Sequence, residues 1–258
     1  SALGLERGDR VGILMPQRLE VAVTHLATYR SGAIAVPLFT LFGQDALQYR
    51  LKDSGARIVV TDTLGAATLA SIRDELPELR IVLNVDGAGD GTMDYQALLG
   101  RASDSFETVK TSSNDPALII YTSGTTGDPK GALLPHRTMI GHMPGVEFSH
   151  DFLGQKGDLI WSPADWAWIG GLIDVLFAGW QLGVPVIAKR FEKFDPDLAL
   201  DLMLKHSVRN VFMPPTALRM LKTIPMTTFN KLKLRSLASG GESLGSELQE
   251  WSKNTLGI

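Results

Sequence analysis

Short apolar runs recur along the chain, separated by longer stretches in which apolar residues return every three or four positions. The runs fall near Val11 to Met15, Ala33 to Pro37, Arg57 to Thr61, Arg80 to Asn84, Ala117 to Tyr121, Leu159 to Trp161, Val184 to Ala188, Asn210 to Met213 and Ser236 to Ala238. Their length and content predict strands. Between them, Val21, Leu26 and Tyr29 keep helical spacing, and so do Leu198, Leu202 and His206 behind Asp195 and Pro196, a capping residue followed by a proline suited to a first helical turn. Parallel strands need long crossovers, usually helical, so this alternation predicts an α/β fold with parallel-rich sheets flanked by helices.

The longest apolar stretch, Ala167 to Ala188, contains Asp174, Gln181, Pro185 and several glycines. It is expected to form a core helix from Trp168 to Leu182 and a strand from Val184, broken at Gly183, rather than a membrane span. The polar segments Arg101 to Ser105 and Thr111 to Pro116 bracket a candidate linker. They divide the chain into an expected first α/β lobe at 1–112 and a second at 113–258.

Composition changes this picture little. The chain has 258 residues, 44% hydrophobic and 21% charged, with a net charge of −3. That is enough apolar content for one large core or two abutting lobes, without the basic surplus of a nucleic-acid binder. It has no cysteine, which excludes a disulfide scaffold and thiol chemistry by the protein itself. Ser1 to Arg10 carries no long apolar segment behind a basic start. No signal peptide is therefore expected, and the location expected by default is cytoplasmic.

Candidate chemistry concentrates after the fifth strand, in Tyr121-Thr122-Ser123-Gly124-Thr125-Thr126-Gly127-Asp128-Pro129-Lys130-Gly131. Glycines let successive N–H groups converge on an anion, the hydroxyls add donors and Lys130 adds charge, which is the chemistry of a phosphate loop. Each hydrogen bond to a charged oxygen contributes roughly 1.5 to 3 kcal/mol. It is not a Walker loop, because Pro129 precedes and Gly131 follows the lysine. Nor does Gly240-Gly241-Glu242-Ser243-Leu244-Gly245 fit a dinucleotide fingerprint, since Glu242 stands where the second glycine belongs.

The ordered run from Thr122 to Lys130 resembles the signature loop of the adenylate-forming superfamily, which includes acyl-CoA synthetases, aryl-CoA ligases, luciferases and peptide-synthetase adenylation domains. The resemblance implies that Thr122, Ser123, Gly124, Thr125, Thr126, Gly127 and Lys130 close over the β- and γ-phosphates of ATP. Gly8 to Leu14 and Gly32 to Leu38 resemble early structural motifs of the same family and carry no assigned chemistry.

Ser162 to Gly171 is similar to the element lining the acyl and pantetheine region, in the manner of acetyl- and medium-chain acyl-CoA synthetases. Trp166, Trp168 and Gly170 are the implied pocket residues, with Gly170 and Gly171 leaving room for an acyl chain. Two tryptophans at i and i+2 also read as plain packing residues. Thr216, in Pro214 to Arg219, resembles a turn bordering the thioester channel and reads equally as a helix cap. Gly241, Glu242 and Ser243 resemble the element that passes along adenine, although Glu242 also suits a helix start on charge alone. His136 and His142 are expected on one helix after the loop, without a catalytic partner and without zinc-ligand spacing.

The implied reaction joins a carboxylic acid to ATP, giving an acyl-adenylate and pyrophosphate, and then transfers the acyl group to coenzyme A, with Mg2+ assisting at the phosphates. The later family motifs and the lysine-bearing C-terminal domain do not appear before Ile258. No catalytic residue or metal ligand is therefore assigned, and the 258 residues alone are expected to be inactive. An adenylation domain that delivers to a carrier protein, and a nucleotide-binding module without ligase activity, stay open as alternatives.

Overall fold

The computed structural model describes residues 3–122 and 127–258. It divides into two compact units, Ser1–Thr138 and Met139–Ile258.

The first unit is built on a seven-stranded sheet of order β5-β4-β3-β1-β2-β6-β7. Its strands are β1 (Arg10–Leu14), β2 (Ile34–Pro37), β3 (Ala56–Thr61), β4 (Ile81–Asn84), β5 (Met93–Asp94), β6 (Pro116–Thr122) and β7 (Lys130–Pro135). All neighbours pair parallel except β6 and β7. β1, β2 and β3 are buried almost throughout, as continuous apolar runs in a parallel sheet require. Helices α1 (Leu19–Arg30), α2 (Gln44–Ser54), α3 (Thr63–Ala70) and α4 (Tyr95–Leu99) supply the crossovers. Leu38, Leu47, Leu51, Val59 and Leu69 knit α2 and α3 to the sheet.

The buried face of α1 is not the apolar one expected. It consists of Val21, Thr24, His25 and Thr28, while Leu26 is exposed. The threonines can be buried because Thr24 Oγ1 donates to the Glu20 carbonyl (2.6 Å) and Thr28 Oγ1 to the Thr24 carbonyl (2.7 Å).

The second unit carries a three-stranded parallel sheet of order β10-β9-β8, formed by β8 (Ile160–Trp161), β9 (Asn210–Phe212) and β10 (Ser236–Ala238). Around it lie α5 (Thr138–Gly141), which begins at the unit boundary, α6 (Met143–Ser149), α7 (Ile169–Gly171), α8 (Ala178–Leu182), α9 (Pro196–Lys205), α10 (Pro215–Leu221) and α11 (Ser246–Leu256). Trp161, Met203, Val211, Leu218, Phe229 and Trp251 form its core. Asp195 caps α9 as expected, accepting from Leu198 N at 3.0 Å, but the buried face is Ala199, Leu200 and Met203. The helix ending at Leu182 stops at Gly183, whose φ of 67° is the left-handed conformation glycine favours.

Two expectations are corrected. Val184 to Ala188 is reduced to a single parallel bridge, Val186 to Ile160, because Pro185 has no N–H to give a ladder; its carbonyl accepts from Ile160 N at 3.0 Å. The unit boundary falls at 138 rather than 112, because β7, which was not foreseen, pairs with β6 and ties the loop-bearing hairpin into the first sheet.

Candidate functional site

In the first unit, the candidate phosphate loop joins β6 to β7. Ser123, Gly124, Thr125 and Thr126 lie outside the described residues, so the structure speaks for the two ends of the loop. Thr122 and Lys130 are exposed and are register partners in the antiparallel pair. Directly opposed residues of such a pair project to the same face, so a hydroxyl and an ammonium stand side by side at the strand ends. Gly127 has a φ of 102° and open space around it.

The strand beneath is braced. The Tyr121 hydroxyl lies 2.6 Å from Asp53 Oδ2 and 3.2 Å from the Arg50 carbonyl, and burial pushes its phenol well above the ordinary range. The Arg50 guanidinium lies 4.0 Å from the Phe42 ring centre and 5.6 Å from that of Tyr121. These contacts tie the end of β6 to α2 and its preceding turn. His136 follows β7 in a turn rather than on a helix; its N–H donates to the Asp115 carbonyl at 3.0 Å, and its ring meets Tyr29 edge-on.

The second unit encloses a cavity of about 590 Å³. It opens beyond the carboxyl ends of β9 and β10, where ligands settle in open parallel sheets. Phe212 closes β9, and Ser239, Gly240 and Gly241 follow β10; Trp168, Ile169, Gly170 and Asp174 come from the α7 side, and His142, Val146 and His150 from around α6. Three predicted site residues from two distant motifs, Trp168, Gly170 and Gly241, thus meet in one place.

Their contacts explain the glycines. A β-carbon on Gly241, whose φ is 92°, would sit 2.8 Å from Trp168 Cη2. One on Gly170 would sit 3.0 Å from both Phe212 Cε1 and Trp168 Cζ3. Trp168 is 39% exposed and its ring centre is 6.4 Å from that of Phe212, giving the cavity an aromatic wall.

Two predicted pocket residues do not line this cavity. Trp166 is 3% exposed and takes the packing role that paired tryptophans often have. Thr216 instead donates to Glu242 Oε1 at 2.6 Å, and Arg219 lies 3.4 Å from Glu242 Oε2. The Thr216 hydroxyl and the guanidinium hold the Glu242 carboxyl below its usual range. Glu242 and Ser243, next to Gly241, are exposed.

Sequence reasoning missed the polar groups of the cavity. His142 does have a partner, since its Nε2 hydrogen-bonds Asp174 Oδ1. The two are 32 residues apart, and no local spacing signals the pair. Asp174 sits in a π-helical turn, Leu172–Phe177, between α7 and α8. Such a turn has more residues per revolution than an α-helix, so residues five apart share a face. Asp174 lines the cavity together with Ile169 and Gly170. Burial pushes its carboxyl up, against the pull of His142.

Behind the wall runs a buried polar chain. His150 Nδ1 lies 2.7 Å from Ser236 Oγ, and with the Asn210 amide oriented toward Asp158 Oδ1 (3.1 Å), Asn210 Oδ1 accepts from Ser236 Oγ (2.8 Å) and Arg235 Nη2 (3.2 Å). Arg235 Nη2 also donates to Asp158 Oδ2 at 2.7 Å. In this arrangement Ser236 spends its proton on Asn210 and accepts from His150, fixing the imidazole as the Nδ1–H tautomer. Burial and the nearby Arg235 depress the His150 pKa to about 4.

Among the described residues, no group of three or more His, Asp or Glu could hold a metal ion, and no helix is long and apolar enough to cross a membrane. No magnesium ligand is assigned.

The whole chain, residues 1–258, matches the family described as AMP-binding enzyme. Among curated proteins it is similar to the mitochondrial acyl-coenzyme A synthetase ACSM4 of Mus musculus, 32% identical over 98% of this chain and 44% of that protein. The Homo sapiens form is 33% identical over the same shares. Among solved structures, Brucella canis acyl-CoA synthetase superposes with a TM-score of 0.87 at 30% identity, covering 99% of this chain and 47% of its own. The chain thus spans less than half the length of the curated relatives it matches. From its full-length match and its mostly parallel α/β architecture, the chain belongs to the AMP-binding enzyme family, whose matching relatives are acyl-CoA synthetases.

Proposed function

We propose that this chain is the nucleotide- and acid-recognising part of an acid–thiol ligase. The first unit handles the triphosphate through the loop bounded by Thr122 and Lys130, and the second receives the body of a carboxylic acid in the cavity walled by Trp168, Phe212 and Gly170. Gly241, with the exposed Glu242 and Ser243, takes the adenine. The carboxylate attacks the α-phosphorus of ATP, its oxygen forming the new bond as pyrophosphate leaves with the electron pair. The thiol of coenzyme A then adds to the acyl carbon and AMP departs. A carboxylate is already a nucleophile, so the protein's task is to align it and offset repulsion between anions. Lys130 is suited to the second part of that task.

The observation that carries this reading is the convergence of Trp168, Gly170 and Gly241 on one cavity of about 590 Å³. Because the chain covers 44% of the first relative's length, we infer that these residues alone do not complete the two half-reactions. Carboxylate-dependent exchange of labelled pyrophosphate into ATP, measured on the intact gene product with acids from acetate to decanoate and with benzoate, tests the proposal. Exchange with at least one acid, followed by CoA-dependent thioester, is expected. Adenylate without thioester points to a carrier-protein acceptor, and nucleotide binding without exchange leaves only a binding module.

A further inference from the structure

We propose that Asp174, oriented by His142, is a specificity-determining residue that selects acids bearing a hydrogen-bond donor, a hydroxyl or an amino group, on the body of the molecule away from the reacting carboxylate. The inference rests on the reading that the second unit's cavity receives the acid.

The cavity presents a contrast. Trp168, Ile169, Phe212, Val146 and Leu237 give it apolar walls, and the glycines contribute no side chain. Asp174, in the π-helical turn, stands among them. His142 engages Oδ1, and among the described residues no other hydrogen bond reaches this carboxylate. A carboxylate has about four acceptor sites, so most of its capacity is unmet by protein. Its side chain is 25% exposed, leaving Oδ2 within reach of whatever fills the cavity.

An unsubstituted alkyl or aryl acid would strip water from Asp174 and return nothing, and polar groups left without partners are costly. A hydroxyl or ammonium would replace that water. Sites built to hydrogen-bond a substrate group discriminate strongly against analogues that lack it, more strongly than apolar pockets discriminate by size. A second carboxylate on the acid would be repelled. His142 fixes which oxygen remains available.

The test uses the intact gene product and pyrophosphate exchange, comparing matched acids: hexanoate with 6-hydroxy- and 6-aminohexanoate and with adipate, and benzoate with its 4-hydroxy and 4-amino derivatives. The expected result is a kcat/KM at least roughly tenfold higher for a donor-bearing acid than for its parent, carried mainly in KM, with adipate poorest. Asp174→Leu should erase or invert that ratio, Asp174→Asn should keep part of the hydroxyl preference and lose the amino preference, and His142→Gln should shrink both. Parents used as well as or better than their derivatives, or a ratio unmoved by Asp174→Leu, would overturn the inference while the exchange itself leaves the ligase reading intact. Absence of exchange with every acid, from protein whose circular dichroism shows it folded, would overturn both.

Discussion

Thr122 and Lys130 face each other across the β6–β7 pair, the last residue of one strand opposite the first of the next. The register therefore sets the Lys130 side chain beside that of Thr122 on one face of the strand pair. Replacing Lys130 with alanine should weaken ATP binding by roughly ten- to a hundredfold, as expected for one charge-assisted contact, and flatten its salt dependence. Lys130→Arg should recover part of the affinity. Titration of nucleotide at low and high ionic strength measures both, and unchanged affinity in Lys130→Ala would remove the lysine from the phosphate site.

Gly241 and Trp168 approach so closely that the first must lack a side chain. Gly241→Ala places a β-carbon 2.8 Å from the Trp168 ring at a φ of 92°. The strain should cost about 1 to 3 kcal/mol, lowering the melting temperature by a few degrees. Trp168→Leu in the same chain should restore part of the loss by removing the steric component and leaving the backbone one. Calorimetry on the single and double variants separates the two, and a Gly241→Ala protein as stable as the parent would show that the contact carries no strain.

Gly170 sets the free space beside the aromatic wall. Valine there would force Phe212 or Trp168 to move, since even a β-carbon lies 3.0 Å from both. Under the ligase reading, Gly170→Val should lower kcat/KM for octanoate or decanoate at least tenfold relative to acetate. Competition between long and short acids in the exchange assay reads the ratio directly; equal losses for all lengths would mean that this wall does not measure the chain.

His150 couples stability to acidity. Its pKa falls from the ordinary 6.5 to about 4 in the folded chain, so the unfolded chain takes up the proton first. Stability conferred by the neutral ring is complete above about pH 6.5 and drains away as pH falls toward 4, by on the order of 3 kcal/mol. His25, depressed to about 3 by complete burial, acts in the same direction in the first unit. Urea midpoints between pH 7 and pH 4.5 should fall steadily, and His150→Gln should reduce the slope; an identical slope in that variant would exclude His150 as a source.

Features governed by neighbours in sequence were legible in advance: the strand-and-helix alternation, the Asp195 cap and the break at Gly183. What escaped depended on distant partners. β7 is mostly exposed and lacks β-branched residues, so nothing in Lys130 to Pro135 announces a strand until β6 is beside it. Trp166 and Trp168 look alike in sequence, yet two residues separate a buried packing ring from a cavity wall. Asp174 hides within an apolar helix, because one acid among apolar neighbours gives no periodic signal of the cavity it lines or of its distant partner His142. The buried face of α1 escaped because its threonines satisfy their own hydroxyls on the preceding turn.

The boundary at Thr138 also bears on heredity. Every described residue that lines the cavity, from His142 to Gly241, is encoded after that point, and the β6–β7 pair that presents Lys130 is encoded before it. A single recombination event between related genes at this position would exchange these lining residues together while leaving the β6–β7 pair untouched, so under the ligase reading new acid preferences could spread by shuffling one contiguous stretch of DNA instead of accumulating scattered point changes.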